Sequence, residues 1–275
     1  MMKTLIVATD FSIESENAVE YAGAAAKHLS TDVVLFNSFS IPTHVSNGRL
    51  PASVFKELLI NNRLLLKQRA ADLSEKYAIK VEYESGFLQL TDDLETLFSK
   101  YKAAMIIIGT SAQSLGQDLF ANSHTTSILK LKFPILSIPL NTVFKPVKSI
   151  LFACDVVRGI NAKILQDVRH FAQIMGAEVE VFHVQNKLKS AEESTRLEHL
   201  TDQVNQALEG IPHSYMPRES NFVIDEIKNE TNRINADLLI MIPQRYGFWQ
   251  SLIHRSKTRI MASLSEIPLL SIRIE

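Results

Sequence analysis

The chain has 275 residues and 30.9 kDa, with 46% hydrophobic and 21% charged residues, the make-up of a globular protein with material for one or two cores. Lys and Arg number 29 against 30 Asp and Glu, which excludes a global polybasic field for nucleic acid or membrane. The single Cys154 excludes an intramolecular disulfide framework and a Cys-only zinc site.

The apolar run Thr4–Thr9 predicts a first strand buried on both faces, ended by Asp10. It is too short for an export signal and has no cleavage site. No apolar run approaches the roughly 18 residues of a membrane span. The expectation is a cytoplasmic protein with no membrane partner. Ser12 is placed to cap a helix in which Ala18, Val19, Ala22, Ala25, Ala26 and Leu29 recur at helical spacing. Val33–Phe36 reads as a second strand. Pro51 suits the first turn of a long helix through Leu58, Leu59, Leu65, Leu66, Leu73 and Tyr77. Ile79–Tyr83 alternates as a third strand, and Thr91 is placed to cap a helix carrying Leu94, Leu97, Phe98 and Tyr101. Met105–Ile108 is a fourth, fully buried strand; Ser123 can open a last helix, and Ile135–Ile138 forms a fifth strand after Pro134.

The chain then repeats itself. Lys3–Asp10 returns as Lys148–Asp155, Ala26–Asn37 as Ala172–His183, Ala103–Ile108 as Ala236–Met241, and Phe133–Ile138 as Ile267–Ile272. The offset drops from 145–146 to 133–134, so the second copy is about a dozen residues shorter, the loss falling between Phe39 and Leu65. Alternating strands and helices imply an α/β fold of two tandem, doubly wound parallel-sheet domains, residues 1–144 and 145–275, with the boundary in the polar stretch Asn141–Lys145. The two copies are expected to form a pseudo-dimer through Ile135–Ile138 and Leu269–Ile272.

Ligands of such sheets bind beyond the carboxyl ends of the strands, where strand order reverses. That singles out Ala8, Thr9, Asp10, Asn37, Gly109 and Thr110 in the first copy, and Asp155, His183, Ile242 and Pro243 in the second. The opening strand ending in Val7-Ala8-Thr9-Asp10-Phe11-Ser12, the strand before Gly109 and the closing Phe133-Pro134-Ile135-Leu136-Ser137-Ile138-Pro139 resemble the universal stress protein family in its tandem form. The resemblance implies an adenine nucleotide alpha hydrolase-like fold, a stress-response role and, in some members, ATP held by Gly-x-x-Gly, nine further residues, then Gly-Ser or Gly-Thr. Here Gly109 and Thr110 fit the start, Ala112 replaces the second glycine, and Asn122-Ser123 replaces Gly-Ser. Glycines let backbone N–H groups approach phosphate, and a helix opening after Ser123 would present more of them. Asp10 could accept a hydrogen bond from an adenine amino group or a ribose hydroxyl. The first site thus reads as a weakened ATP site. In the second copy Ile242, Pro243, Arg245 and Arg255-Ser256 replace the motif, and the site is degenerate.

Gln244–Arg259 carries Arg245, Arg255, Lys257 and Arg259 with Tyr246, Phe248 and Trp249, which suits a protein partner or a packed loop better than nucleic acid. No histidine pattern suggests a metal. His183 reads as a hydrogen-bonded structural histidine, and Cys154 as a buried, unreactive thiol. Three functions stay open: a stress-response module that binds or senses ATP, an interaction or self-associating protein with no nucleotide, and a nucleotide-using enzyme such as a slow ATPase, for which no catalytic residue is evident.

Overall fold

The computed structural model describes residues 4–39, 52–87, 90–110, 131–154, 161–185, 201–242 and 266–272. They group into two compact units, one holding Leu5–Thr110 and Ile135–Phe144, the other running on from Lys145.

Unit one contains the strands β1 (Leu5–Ala8), β2 (Val33–Phe39), β3 (Val81–Phe87), β4 (Met105–Thr110) and β5 (Ile135–Pro139), with the helices α1 (Ile13–Leu29), α2 (Ala52–Tyr77) and α3 (Leu90–Lys100). The strands are parallel in the order β3-β2-β1-β4-β5. Leu5, Ile6, Val7, Ile106 and Ile107 are almost fully buried, so the apolar runs sit in the centre of the sheet. The crossovers β1→β2 and β2→β3 step one way and β3→β4 steps back. Right-handed connections therefore place α3 on the face opposite α1 and α2.

Ser12 caps α1 as its position predicts, accepting the Ser15 N–H at 3.3 Å. Thr91 does not cap α3; it lies inside the helix. The third strand is Val81–Phe87, not Ile79–Tyr83. Ala78 leaves α2 at φ 53°, Ser74 holds Ile79 through its backbone, and β3 then follows β2 residue for residue as far as Phe39. Pro51 and Ser123 lie outside the described residues.

Unit two contains β6 (Ser149–Ala153), α4 (Ala162–Met175), β7 (Glu178–Gln185), helical residues 201–207, β8 (His213–Glu219), α5 (Val223–Arg233), β9 (Leu238–Met241) and β10 (Leu269–Ser271). Its strands are parallel in the order β8-β7-β6-β9-β10, which repeats the order of unit one. Ile227 of α5 belongs to one buried cluster with Leu151, Phe182, Leu239 and Met241.

In both units the chain leaves a helix through a left-handed residue: Ser30 (φ 52°), Ala78 (53°), Lys102 (47°), Gly176 (64°) and Asn235 (49°). From residue 53 to 65, α2 carries no fully buried residue, and Val54, Leu58, Ile60, Leu64 and Leu65 are exposed; burial begins at Leu66. Among the described residues no helix is long and apolar enough to cross a membrane.

Candidate functional site

In unit one the strand order reverses at β1, which has β2 on one side and β4 on the other. Ala8 lies beside Phe36, and Thr9 N–H continues the ladder to the Phe36 carbonyl at 2.8 Å, so Thr9, Asp10, Asn37 and Gly109–Thr110 gather at the carboxyl ends of adjacent strands. The sequence expectation for these positions concerns their placement, and the fold brings them together. Ala112, Asn122 and Ser123 lie outside the described residues, as do Asp155, Pro243, Arg245 and Arg255-Ser256.

The turn from β1 into α1 is closed by its own side chains. Asp10 N–H donates to Ser15 Oγ (3.3 Å), Phe11 N–H to Thr9 Oγ1 (3.0 Å) and Ser12 N–H to Asp10 Oδ1 (3.0 Å). Phe11 holds φ 63° in this turn. These three amides, which precede α1, are therefore engaged within the turn itself. Asp10 itself is exposed. Partial burial works to raise its pKa, but hydrogen bonds from Ser12 and Ser15 outweigh that and hold the carboxyl below its ordinary value. An ionised Asp10 accepts hydrogen bonds from hydroxyl or amino groups and repels anions.

Asn37 is buried, and both ends of its amide are used. Its Nδ2 donates to the Thr9 carbonyl at 2.7 Å, and its Oδ1 accepts from Asn62 Nδ2 of α2 at 2.7 Å. Asn62 carries no sequence signal that marks it: it is one polar residue in a mixed helix. Thr110 is buried and donates to the Ile138 carbonyl at 3.3 Å. Gly109 has a purely structural reason to be glycine. A Cβ there would stand 2.0 Å from the Glu14 carbonyl oxygen and 2.7 Å from Ser15 N. The close approach is that of α1 to β4, and it holds with or without a ligand.

Unit two repeats one contact with different chemistry. Cys154 N–H donates to the Phe182 carbonyl, as Thr9 does to Phe36, and His183 Nδ1 lies 3.1 Å from the Cys154 carbonyl, the place that Asn37 Nδ2 takes at the Thr9 carbonyl in unit one. A carbonyl only accepts, so Nδ1 carries the proton. His183 and Cys154 are both buried, as expected of a structural histidine and an inert thiol. Among the described residues no three His, Cys, Asp or Glu side chains cluster as a metal site.

Residues 1–137 match the family model described as the universal stress protein family. The chain belongs to the universal stress protein family. A universal stress protein from Archaeoglobus fulgidus DSM 4304 aligns over 98% of this chain and 96% of its own, at 16% identity and a TM-score of 0.72. A functionally unknown protein from Pseudomonas aeruginosa PAO1 covers 99% of this chain and 92% of its own, at 13% identity and a TM-score of 0.62. At such identities the likeness is one of fold. No curated protein matches the chain. As a member of the family, the chain keeps the switch-point geometry in unit one, while Gly109 answers there to packing as well as to any ligand.

Proposed function

We propose that the chain is a tandem binding or sensing module, with domains 1–144 and 145–275, that takes an adenine nucleotide weakly at the first switch point and none at the second. The observation that carries this reading is Asp10: an exposed, ionised acceptor at the carboxyl end of β1, beside the strand-order reversal. Because the amides of this turn are engaged and Asp10 is anionic, the sugar or base end of the nucleotide belongs at Asp10, and its phosphates belong toward Ala112, Asn122 and Ser123.

The test is calorimetric titration of the whole chain with ATP and magnesium. Asp10→Asn keeps an oxygen that can accept the Ser12 N–H and removes the charge, so the turn is kept at a small cost in stability while affinity falls roughly tenfold, the scale of one charged hydrogen bond. No heat up to millimolar ATP, or equal affinity for Asp10→Asn, rejects this reading. The chain then works as an interaction protein, a second reading supported by the exposed apolar residues of α2.

A further inference from the structure

One corner of the apolar core of unit two is closed by two carboxylates. Glu180 on β7 lies beside Leu151 of β6, and Glu230 lies on α5; their side chains are only 11% and 3% exposed. Unit one closes the same corner differently. The offset of 146 that relates β2 to β7 makes Val34 the counterpart of Glu180, and the offset of 133 that relates both ends of α3 to α5 makes Leu97 the counterpart of Glu230. Val34 and Leu97 are buried and apolar. The fold itself therefore does not require acids here.

A single nitrogen, Arg233 Nη2, lies 2.6 Å from Glu180 Oε2 and 2.6 Å from Glu230 Oε1, so the two carboxyl groups face each other across it. Arg218 of β8 is more distant, at 3.8 Å from Glu230 Oε2, and Ser214 Oγ reaches Glu180 Oε2 only at 3.5 Å. Glu180 Oε1 is buried and receives no donor from the described residues. Two buried carboxylates sharing one guanidinium repel each other. A proton on Glu180 removes one charge and turns an orphaned acceptor into a donor toward Glu230.

We propose that Glu180 and Glu230 hold one proton between them and that its loss loosens α5 from β7 and β8, making this corner of unit two a pH-sensitive latch. Burial and the adjacent Glu230 push the Glu180 carboxyl above its ordinary value, against the pull of Arg233. Burial also works to raise Glu230, but Arg233 and the hydrogen bond from Glu180 outweigh it and hold that carboxyl low. The other ionisable groups on these elements are Glu178 and His183 on β7, His213, Tyr215 and Glu219 on β8, and Asp225, Glu226 and Lys228 on α5, the last tied to Glu266 at 3.2 Å. The stabilisation linked to Glu180 is complete below the ordinary glutamate value of 4.5 and is lost as pH rises through its raised value. That linked to Glu230 is complete above the ordinary value and is lost as pH falls through its lowered one. The latch is tightest between the two and loosens toward alkaline pH.

Hydrogen exchange of the full chain between about pH 4 and 8.5, corrected for the intrinsic pH dependence of amide exchange, tests this. Protection of the α5 amides should fall severalfold from the tight window to the alkaline end. Glu180→Gln carries a permanent donor and should hold protection level. The double change Glu180→Val with Glu230→Leu, which copies unit one, should lose the pH dependence as well. Wild-type protection that does not vary with pH, or an unchanged slope in Glu180→Gln, overturns the latch. Should the variants fail to fold, the side-chain carbon titration of Glu180 in the wild type decides: a midpoint at or below the ordinary glutamate value overturns it too.

Discussion

Adding one methyl group at Gly109 should cost the fold about 3 kcal/mol or more, lowering the thermal midpoint by roughly 6–12 °C. The new Cβ would sit 2.0 Å from the carbonyl oxygen of Glu14, 2.3 Å from its carbon and 2.7 Å from Ser15 N. These are backbone atoms of the first turn of α1, and that turn is pinned by the bonds among Thr9, Ser12 and Ser15. Nothing there can swing aside. Gly23 offers the contrast. Its added Cβ would meet Tyr77 and Leu73 side-chain atoms at 2.5–2.8 Å, which can move, and alanine regains about 1 kcal/mol of helix propensity. Scanning calorimetry of Gly109→Ala beside Gly23→Ala checks the order; a Gly109→Ala midpoint within about 2 °C of wild type rejects the packing account. In unit two the matching position is Ile242, which is buried without difficulty. The counterpart of Glu14 there is residue 160, which lies outside the described residues. Loss of nucleotide binding in a Gly109 variant would therefore report unfolding as readily as a blocked phosphate path.

Asn37→Leu should destabilise unit one by about 3 kcal/mol, because it strands the Thr9 carbonyl and the Asn62 amide together. Asn37→His should cost less than about half of that, since His183 already makes the same bond to Cys154 in unit two. Urea unfolding of the two variants separates these expectations. Equal losses for Leu and His would mean that shape, not the bond to Thr9, is what the position supplies.

The elements that were legible in the sequence are those whose cause is local. Ser12 announces the start of α1 by the oxygen its side chain lends to Ser15, and the apolar runs of β1 and β4 announce central strands because both faces must be covered. The sequence does not show the bounds of the third strand, because they are set by pairing with β2, a long-range fact, and because Ala78 gives no sign that it turns left-handed. Residue type alone marks Thr91 as a cap, whereas α3 already includes Leu90. At the site, strand-end logic located Thr9, Asp10 and Asn37. It could not reveal Asn62, which arrives from a helix 25 residues away, or the backbone contact that explains Gly109. Glu180 and Glu230 look like solvent-facing acids within mixed elements. Only aligning the two copies sets them against the buried Val34 and Leu97 and so sets them apart from surface acids.

Four of the six left-handed residues that follow helices are Ser30, Ala78, Lys102 and Asn235, with glycine at 176 and 210. An L-residue in that region carries on the order of 1 kcal/mol of steric penalty, less for asparagine. The chain therefore tolerates a small, distributed deficit at points far from either strand-end cleft. A natural variant or a designed one can recover it at Ser30, Ala78 or Lys102 without touching a core side chain or Asp10, which gives the scaffold a reserve against which costly changes at the cleft can be set during its evolution.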